Sequence, residues 1–481
     1  MANTLGSIKH IVQLMLENRS FDQMLGFLYD GQRTTPSGAP FEGLTGDESN
    51  VDDTGRRIAV SRITASTPDA YFKPGADPGE GFYNTNVQLY STMHPAAGTR
   101  PGNSGFVVNF KSAIDYDLAH HYGDTLPGTQ PADIMLMYTP QMLPVLSTLA
   151  RSYAVCDQWF ASVPTQTVPN RAFAAAATSQ GRLDNQVKSF TCQSIFGLLS
   201  AQQIDWAIFG YNRAPLTRTD FPDTLHADPS HFGLFADFQR RAAAGTLPAY
   251  TFLEPDFSAN GNSQHPNYDV AKGEQLIYQV YRALRDSPAW SDTLLVITYD
   301  EHGGNYDHVA PPETATAPDN AVGEFDGFDF QRFGVRIPAV LVSPRIAAGT
   351  VFRPASGTLD HTSVLKTIET RWNLPPLTRR DAAAPSLGDA LTLATARDDD
   401  PLRDVRPPQS ATNPTNRAAP STLEKLHAWR VSKLPIPDEH GRVDHVQPPL
   451  ASSAQIGDYI RDRMAAWDSH LRKLAESRTA E

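Results

Sequence analysis

Cysteine is almost missing from this chain: Cys156 and Cys192 are the only two in 481 residues. Two thiols are too few for a disulfide scaffold or a cysteine metal cage, and both read as core residues. A positive excess is missing as well. Lys and Arg total 41 against 53 Asp and Glu, a formal charge of −12. That balance argues against a nucleic-acid binder, which needs a basic footprint. Long apolar runs are absent: stretches such as Leu294 to Tyr299 fall far short of the ~20 residues of a membrane span, so no transmembrane segment is expected. The start, MANTLGSIKH, lacks the charged, apolar and small-residue parts of a secretory signal. As written the chain reads as cytoplasmic, and as secreted or periplasmic if a leader has been removed.

What is present is globular in composition, 40% hydrophobic and 20% charged, enough for one large domain with extensions. His10–Leu16 (HIVQLML) is a strand that stops at Glu17-Asn18. Residues 30–130 turn rich in Gly, Pro, Ser, Thr and Asp, yet aromatics recur there. They read as an irregular, substrate-facing insertion. Gln141–Arg151 has helical spacing, Ser152–Ser162 is strand-like, and Arg171–Thr178 is an Ala-rich helix. Ala249–Leu253, Leu294–Tyr299 and Ile337–Val342 are strands, with a crossover helix over Ala271–Arg285. Asp360 is suited to cap a helix over His361–Trp372. Continuous apolar strands alternating with helices predict an α/β fold, a mostly parallel sheet covered on both faces. Beyond residue 390 the chain turns acidic and then Pro- and Asn-rich, with helices expected near 421–433 and 454–476. The division expected is a catalytic domain over 1–390 and a wrapping extension over 391–481.

Ligands of open parallel sheets sit beyond the carboxyl ends of the strands. Three polar clusters fall at such ends: Glu17-Asn18, Asp300-Glu301, and the turn Thr165–Asn170. Adjacent carboxylates are costly to hold together without a cation, and with an amide oxygen they make a hard donor set for a divalent metal. Spacing alone leaves solvent-bonded strand ends as an equal or better reading. In Pro164–Arg171 (PTQTVPNR), Pro169 suits a first helical turn. Thr167 would then lie where a helix N-terminus favours an anion, with Thr165 as the competing hydroxyl. His265 sits in a polar loop ahead of the crossover helix, and His308 and His361 each follow an Asp. A lone loop histidine such as His265 is usually only solvated, and His308 and His361 are equally compatible with structural hydrogen bonding.

Four segments in order resemble the phosphoesterase family of phospholipases C and related acid phosphatases, within the alkaline-phosphatase-like superfamily. They are HIVQLMLENRSFDQMLGFL at 10–28, SVPTQTVPNR at 162–171, TLLVITYDEHGGNYDHVAPP at 293–312 and LDHTSVLKTIETRW at 359–372. The resemblance implies a hydrolase with an alkaline-phosphatase-like fold. It implies that Glu17, Asn18, Asp300 and Glu301 bind a metal together with the hydroxyl of a nucleophile, Thr167, and that His265 assists the leaving group. The metal, one ion or more, stays open among calcium, magnesium, manganese, iron and zinc. Substrate contacts are expected from Glu80, Asn84, Arg171, His308 and His361. One departure stands out: Asp77-Pro78-Gly79 is followed by Glu80, where many members carry a substrate-facing His. A carboxylate there could bind a cationic headgroup, act as an acid, or join the metal site.

The function implied is metal-dependent cleavage of phosphate esters, first of all phospholipase C-type diester cleavage through a phosphothreonine intermediate. Two alternatives stand beside it, acid phosphatase action on monoesters and a non-catalytic phospho-ligand-binding relative. The partners implied are a phosphate-ester substrate and a phospholipid headgroup at a membrane surface, with no nucleic acid. Given the acidic balance, an anionic substrate must be held by local charges against the mean field.

Overall fold

Aliphatic runs with no polar alternation need cover on both faces, because successive side chains of a strand point to opposite sides. All seven residues of Thr293–Tyr299 are buried, as are Ile11 to Leu16. In the computed structural model, which describes residues 4–187, 189–211, 214–415, 419–438, 440–443 and 447–479, these runs form the centre of an eight-stranded sheet. Its strands are β1 (His10–Leu16), β2 (Ala154–Val155), β3 (Trp206–Gly210), β4 (Phe232–Leu234), β5 (Tyr250–Leu253), β6 (Thr293–Tyr299), β7 (Ala339–Val342) and β8 (Thr350–Val351). Their spatial order is β8-β2-β7-β6-β1-β5-β3-β4. Only β7 runs against its neighbours; every other pairing is parallel. The α/β class with a mostly parallel sheet is therefore the one the sequence pattern predicts.

The helices on this sheet lie close to their expected places: Pro144–Ser152, Thr167–Ala176, Val270–Arg285 and Thr362–Trp372. The last of these starts one residue later than expected, with His361 rather than Asp360 as its N-cap, though Asp360 Oδ1 still accepts from the N–H of Thr362 at 3.0 Å. Other expectations need correction. The strand expected over 152–162 shrinks to Ala154–Val155, followed by isolated bridges at Trp159 and Phe160. The cause is Asp157, a buried carboxylate that draws in Arg353 at 2.7 Å and turns the chain. β3 and β4 are short and carry a glycine each, and no strand was assigned to them from the sequence. The insertion at 30–130 is less irregular than its composition suggests. It holds the helices Phe82–Tyr90 and Phe106–His120, packed on a core of their own through Leu89, Phe106, Phe110 and Ile134. Cys156 is fully buried, whereas Cys192 only packs against the core from its edge.

The C-terminal region forms the helices Thr422–Ser432 and Ser453–Thr479, with residues 416–418 lying outside the described residues. The two pack together through Val431, Ile456, Ile460, Met464 and Trp467. Trp467 Nε1 donates to the carbonyl of Leu225 at 2.9 Å, and Arg430 pairs with the buried Asp220. These contacts dock the extension onto the 214–226 segment. Among the described residues no helix is long and apolar enough to cross a membrane.

Candidate active site

The two central strands set the site. β1 and β6 pair in parallel from His10 opposite Thr293 to Leu16 opposite Tyr299. The residues that follow, Glu17 and Asp300, therefore leave the sheet side by side at its carboxyl end. Both are buried. Asn18 comes next in the left-handed region, φ 54°, which asparagine tolerates better than most residues. There its N–H donates to Asp300 Oδ1 at 2.9 Å. Gly303 is needed for this geometry: a Cβ at that position would meet the Asn18 carbonyl oxygen at 2.2 Å, and its φ is 60°. The Asp-Glu-His-Gly-Gly run thus encodes a close crossing of two backbones as well as two carboxylates.

Thr167 enters from the other side as the first residue of the helix Thr167–Ala176. Asn170 pins the turn before it. Its Nδ2 donates to the carbonyls of Val163, Thr165 and Gln166, and its Oδ1 accepts from the N–H of Val163. Thr167 Oγ1 donates to Asn18 Oδ1 at 3.3 Å. Thr165 Oγ1 is turned away, donating to the Leu183 carbonyl at 2.6 Å. Of the two hydroxyls weighed in the sequence, Thr167 is the one the fold brings to the Asn18 amide.

Charge is crowded here with little to offset it. Burial, with the neighbouring Asp300, pushes Glu17 up to about 7 despite His265 and Arg171. Burial and the neighbouring Asp77 push Glu80 up to about 8. Burial and Glu80 hold Glu301 well above the carboxylate range. Asn18 Nδ2 donates to Glu80 Oε2, while Glu301 Oε1 is buried without a hydrogen-bond partner among the described residues. Arg171 bonds Asp300 Oδ2 through Nε at 3.1 Å and the Leu16 carbonyl through Nη2. An orphaned buried carboxylate oxygen, three carboxyl groups whose ionisation burial disfavours, and amide and hydroxyl oxygens beside them fit a hard divalent cation.

The site opens into a cleft lined by Glu17, Glu80, Thr167 and His265, among others. Burial alone would depress the His265 ring, but Asp77, Glu17 and Glu80 outweigh it and lift the ring to about 9. Its Nδ1 faces the Pro266 carbonyl at 3.0 Å, and its Nε2 lies 3.9 Å from Asp77 Oδ1. Asp77, Glu80 and His265 converge within 4.8 Å.

Four of the expected substrate contacts do not line this cleft. Arg171 is spent on Asp300 inside the protein. Asn84 accepts from Asn109 Nδ2 at 3.0 Å and faces a different cavity. His308 is bonded through Nδ1 to Asp22 at 2.7 Å, in a cluster with Asp307 and Arg336. His361 Nε2 donates to the Asp300 backbone oxygen, 2.6 Å away, and does not reach the cleft. Arg171 and His308 are held by buried carboxylates, and Asn84 and His361 by hydrogen bonds to the Asn109 amide and the Asp300 carbonyl. Sequence reasoning also missed lining residues: Asp124, Phe257, Tyr268 and, from the C-terminal extension, Leu423 and Lys425. Asp77 was signalled by its place before Pro78 and the others by nothing local.

Comparison with known proteins gives the family of the chain. The model of the Phosphoesterase family matches residues 8–375. Non-specific phospholipase C6 of Arabidopsis thaliana is 37% identical over 441 residues, 87% of this chain and 79% of that protein. Non-specific phospholipase C3 of the same plant is 32% identical over 482 residues, 95% of this chain and 84% of that protein. Phospholipase C A of Mycobacterium tuberculosis is 29% identical over 418 residues, 77% of this chain and 74% of that protein.

Proposed function

Because the chain belongs to the Phosphoesterase family and is a phosphoric ester hydrolase, we propose that Thr167 is its nucleophile and that it cleaves phosphodiesters in the phospholipase C manner. The observation that carries this reading is the Thr167 hydroxyl, buried in the cleft and 3.3 Å from Asn18 Oδ1, beside Glu17 and Asp300. The names of the relatives, all phospholipases C, support a lipid diester over a monoester.

Glu17, Asn18, Thr167, Asp300 and Glu301 would hold the divalent cation, with Glu80 beside them. Bound there, it would lower the pKa of the Thr167 hydroxyl and offset charge on the phosphoryl oxygens. Thr167 Oγ gives its proton to a carboxylate of the cleft and attacks phosphorus while the ester bond to the alcohol breaks on the opposite side, leaving a phosphothreonine; that proton returns to Oγ when water displaces it. His265, protonated at neutral pH by its acidic neighbours, gives its Nε2 proton to the departing oxygen. The neutral ring then takes a proton from the water that displaces Thr167. Arg171 keeps the Asp300 carboxylate in place from below and the helix N-terminus at Thr167 favours negative charge.

The test pairs Thr167→Ala with a panel of a phosphocholine diester and its matching monoester, on protein of measured metal content. Turnover should fall by about 10⁴-fold or more with the thermal transition unchanged, and wild-type protein quenched in mid-reaction should carry phosphate on Thr167. Near-normal rates in the variant would overturn the nucleophile. A preference for the monoester would make the enzyme an acid phosphatase, and no turnover or covalent phosphate at all would make it a binding relative.

A further inference from the structure

The cleft has a wall that the family match does not cover. Residues 420–423 and Lys425, beyond the matched span of 8–375, line the same cavity as Glu17, Glu80, Thr167 and His265. This wall is the first turn of the helix Thr422–Ser432, and it is firmly held. Ser421 and Glu424 cap each other, the Ser421 N–H donating to Glu424 Oε2 at 2.7 Å and the Glu424 N–H to Ser421 Oγ at 3.1 Å. Ser453 Oγ, from the last helix, reaches the same Glu424 at 3.0 Å. Leu423 is buried, and Arg430 ties the helix to Asp220. Upstream, Thr415 Oγ1 donates to the Asn267 carbonyl at 2.5 Å, beside the His265 loop.

The charge pattern of the cleft is lopsided. Glu17, Asp77, Glu80 and Asp124 contribute carboxyls, and burial with Asp77 lifts Asp124 to about 6. Among the described lining residues the cationic side chains are His265 and Lys425 alone. Lys425 lies at the outer end, exposed, and its ammonium has no ion pair within 4.0 Å among the described residues. Its field reaches Asp124 across the opening. A phosphoester entering such a cleft meets repulsion from the walls unless a cation takes its charge on the way in, and a lysine stem is long enough to sweep the mouth.

We propose that Lys425 is a substrate-binding residue: its ammonium takes the anionic phosphoryl oxygens of the incoming ester, so that the C-terminal extension completes the site. This rests on the reading of the cleft as the phosphoester site, and the test is chosen to separate the two. Lys425→Gln should raise KM for a soluble phosphodiester about tenfold while kcat stays within twofold, and Lys425→Arg should restore most of it. The wild-type KM should climb with ionic strength, whereas that of the glutamine variant should stay nearly flat. Lys433→Gln, at the far end of the same helix and against Trp429, serves as the control and should change neither constant. Calorimetric titration with inorganic phosphate, in a Thr167→Ala background that removes turnover, should show weaker binding when Lys425→Gln is added. An unchanged KM and unchanged phosphate affinity would overturn the proposal. So would a loss confined to kcat, or one that arginine fails to restore. If phosphate binding depends on Lys425 while no phosphoester is turned over by any form, the Thr167 reading fails and the Lys425 reading stands.

Discussion

Two clusters of carboxylates and histidine lie on the same protein, and they are built to opposite ends. Asp22, Asp307 and His308 converge within 4.8 Å, as do Asp77, Glu80 and His265. In the first, Arg336 lies fully buried between the acids. It donates to Asp307 at 2.9 Å and Asp22 at 2.9 Å, and its remaining donors reach the carbonyls of Glu42 and Asp157. A guanidinium of fixed charge and fork geometry settles that cluster for good. In the second, among the described residues no guanidinium is bonded to the carboxylates: Arg19 donates to the His265 carbonyl at 3.1 Å and acts on Asp77 through its charge alone. This cluster faces a cleft, its nearest His–Asp approach is 3.9 Å, and Asp77 Oδ1 and the neighbouring Glu301 Oε1 have no hydrogen-bond partner among the described residues. Residue types alone do not separate an anchor from a reactive site; what separates them is whether the fold supplies the counter-charge or leaves room for a substrate or ion to supply it.

Removing the counter-charge from the settled cluster should have the largest effect. Arg336→Met leaves two buried carboxylates facing each other, and loss of one partner of such a pair costs about 3–5 kcal/mol. Denaturant titration should show that loss, while kcat per folded molecule stays close to wild type. A loss below about 1 kcal/mol would mean the two clusters are not so different. In the open cluster, His265→Gln should leave stability nearly unchanged but lower kcat by about 10²-fold. The drop should shrink for an ester with an acidic leaving group such as nitrophenol, because that alcohol needs no proton. An equal drop on both esters would make His265 a mere positioning group.

The smallest effect is a pH dependence confined to the settled cluster. Burial would depress His308, but the charge and hydrogen bond of Asp22 overcome this and raise it above the ordinary histidine value. A raised folded value means that stability is present in full below the unfolded value of ~6.5 and is lost as pH rises through the folded value. Wild type should therefore exceed His308→Gln by less than about 1 kcal/mol at pH 6, and the gap should close toward alkaline pH. A gap that widened with pH would reverse the sign and remove the ion pair.

Much of this could be read from local pattern. The strands at 10–16 and 294–299 announced themselves by unbroken aliphatic runs, and Glu17, Asn18, Asp300 and Glu301 follow directly from where those runs stop. Pro169 marked the turn around Thr167, but only the family resemblance set that hydroxyl apart from Thr165. The insertion was harder to read: helix Phe106–His120 is half polar, and its apolar face meets a local core, not the main one. His308 and His361 looked alike in sequence, each after an Asp, yet one is bonded to Asp22 and the other to the Asp300 carbonyl. Pairing with a residue hundreds of positions away leaves no local trace.

The amino-acid order by itself determined the strand ends, the turn before Asn170 and the acidic balance, because each depends on neighbours within a few residues. Only the tertiary structure decided which acid met an arginine and which was left open, and that a lysine from the C-terminal extension would stand at the cleft. Charge is neutralised over ångströms in space, and the groups that neutralise it here are far apart along the chain.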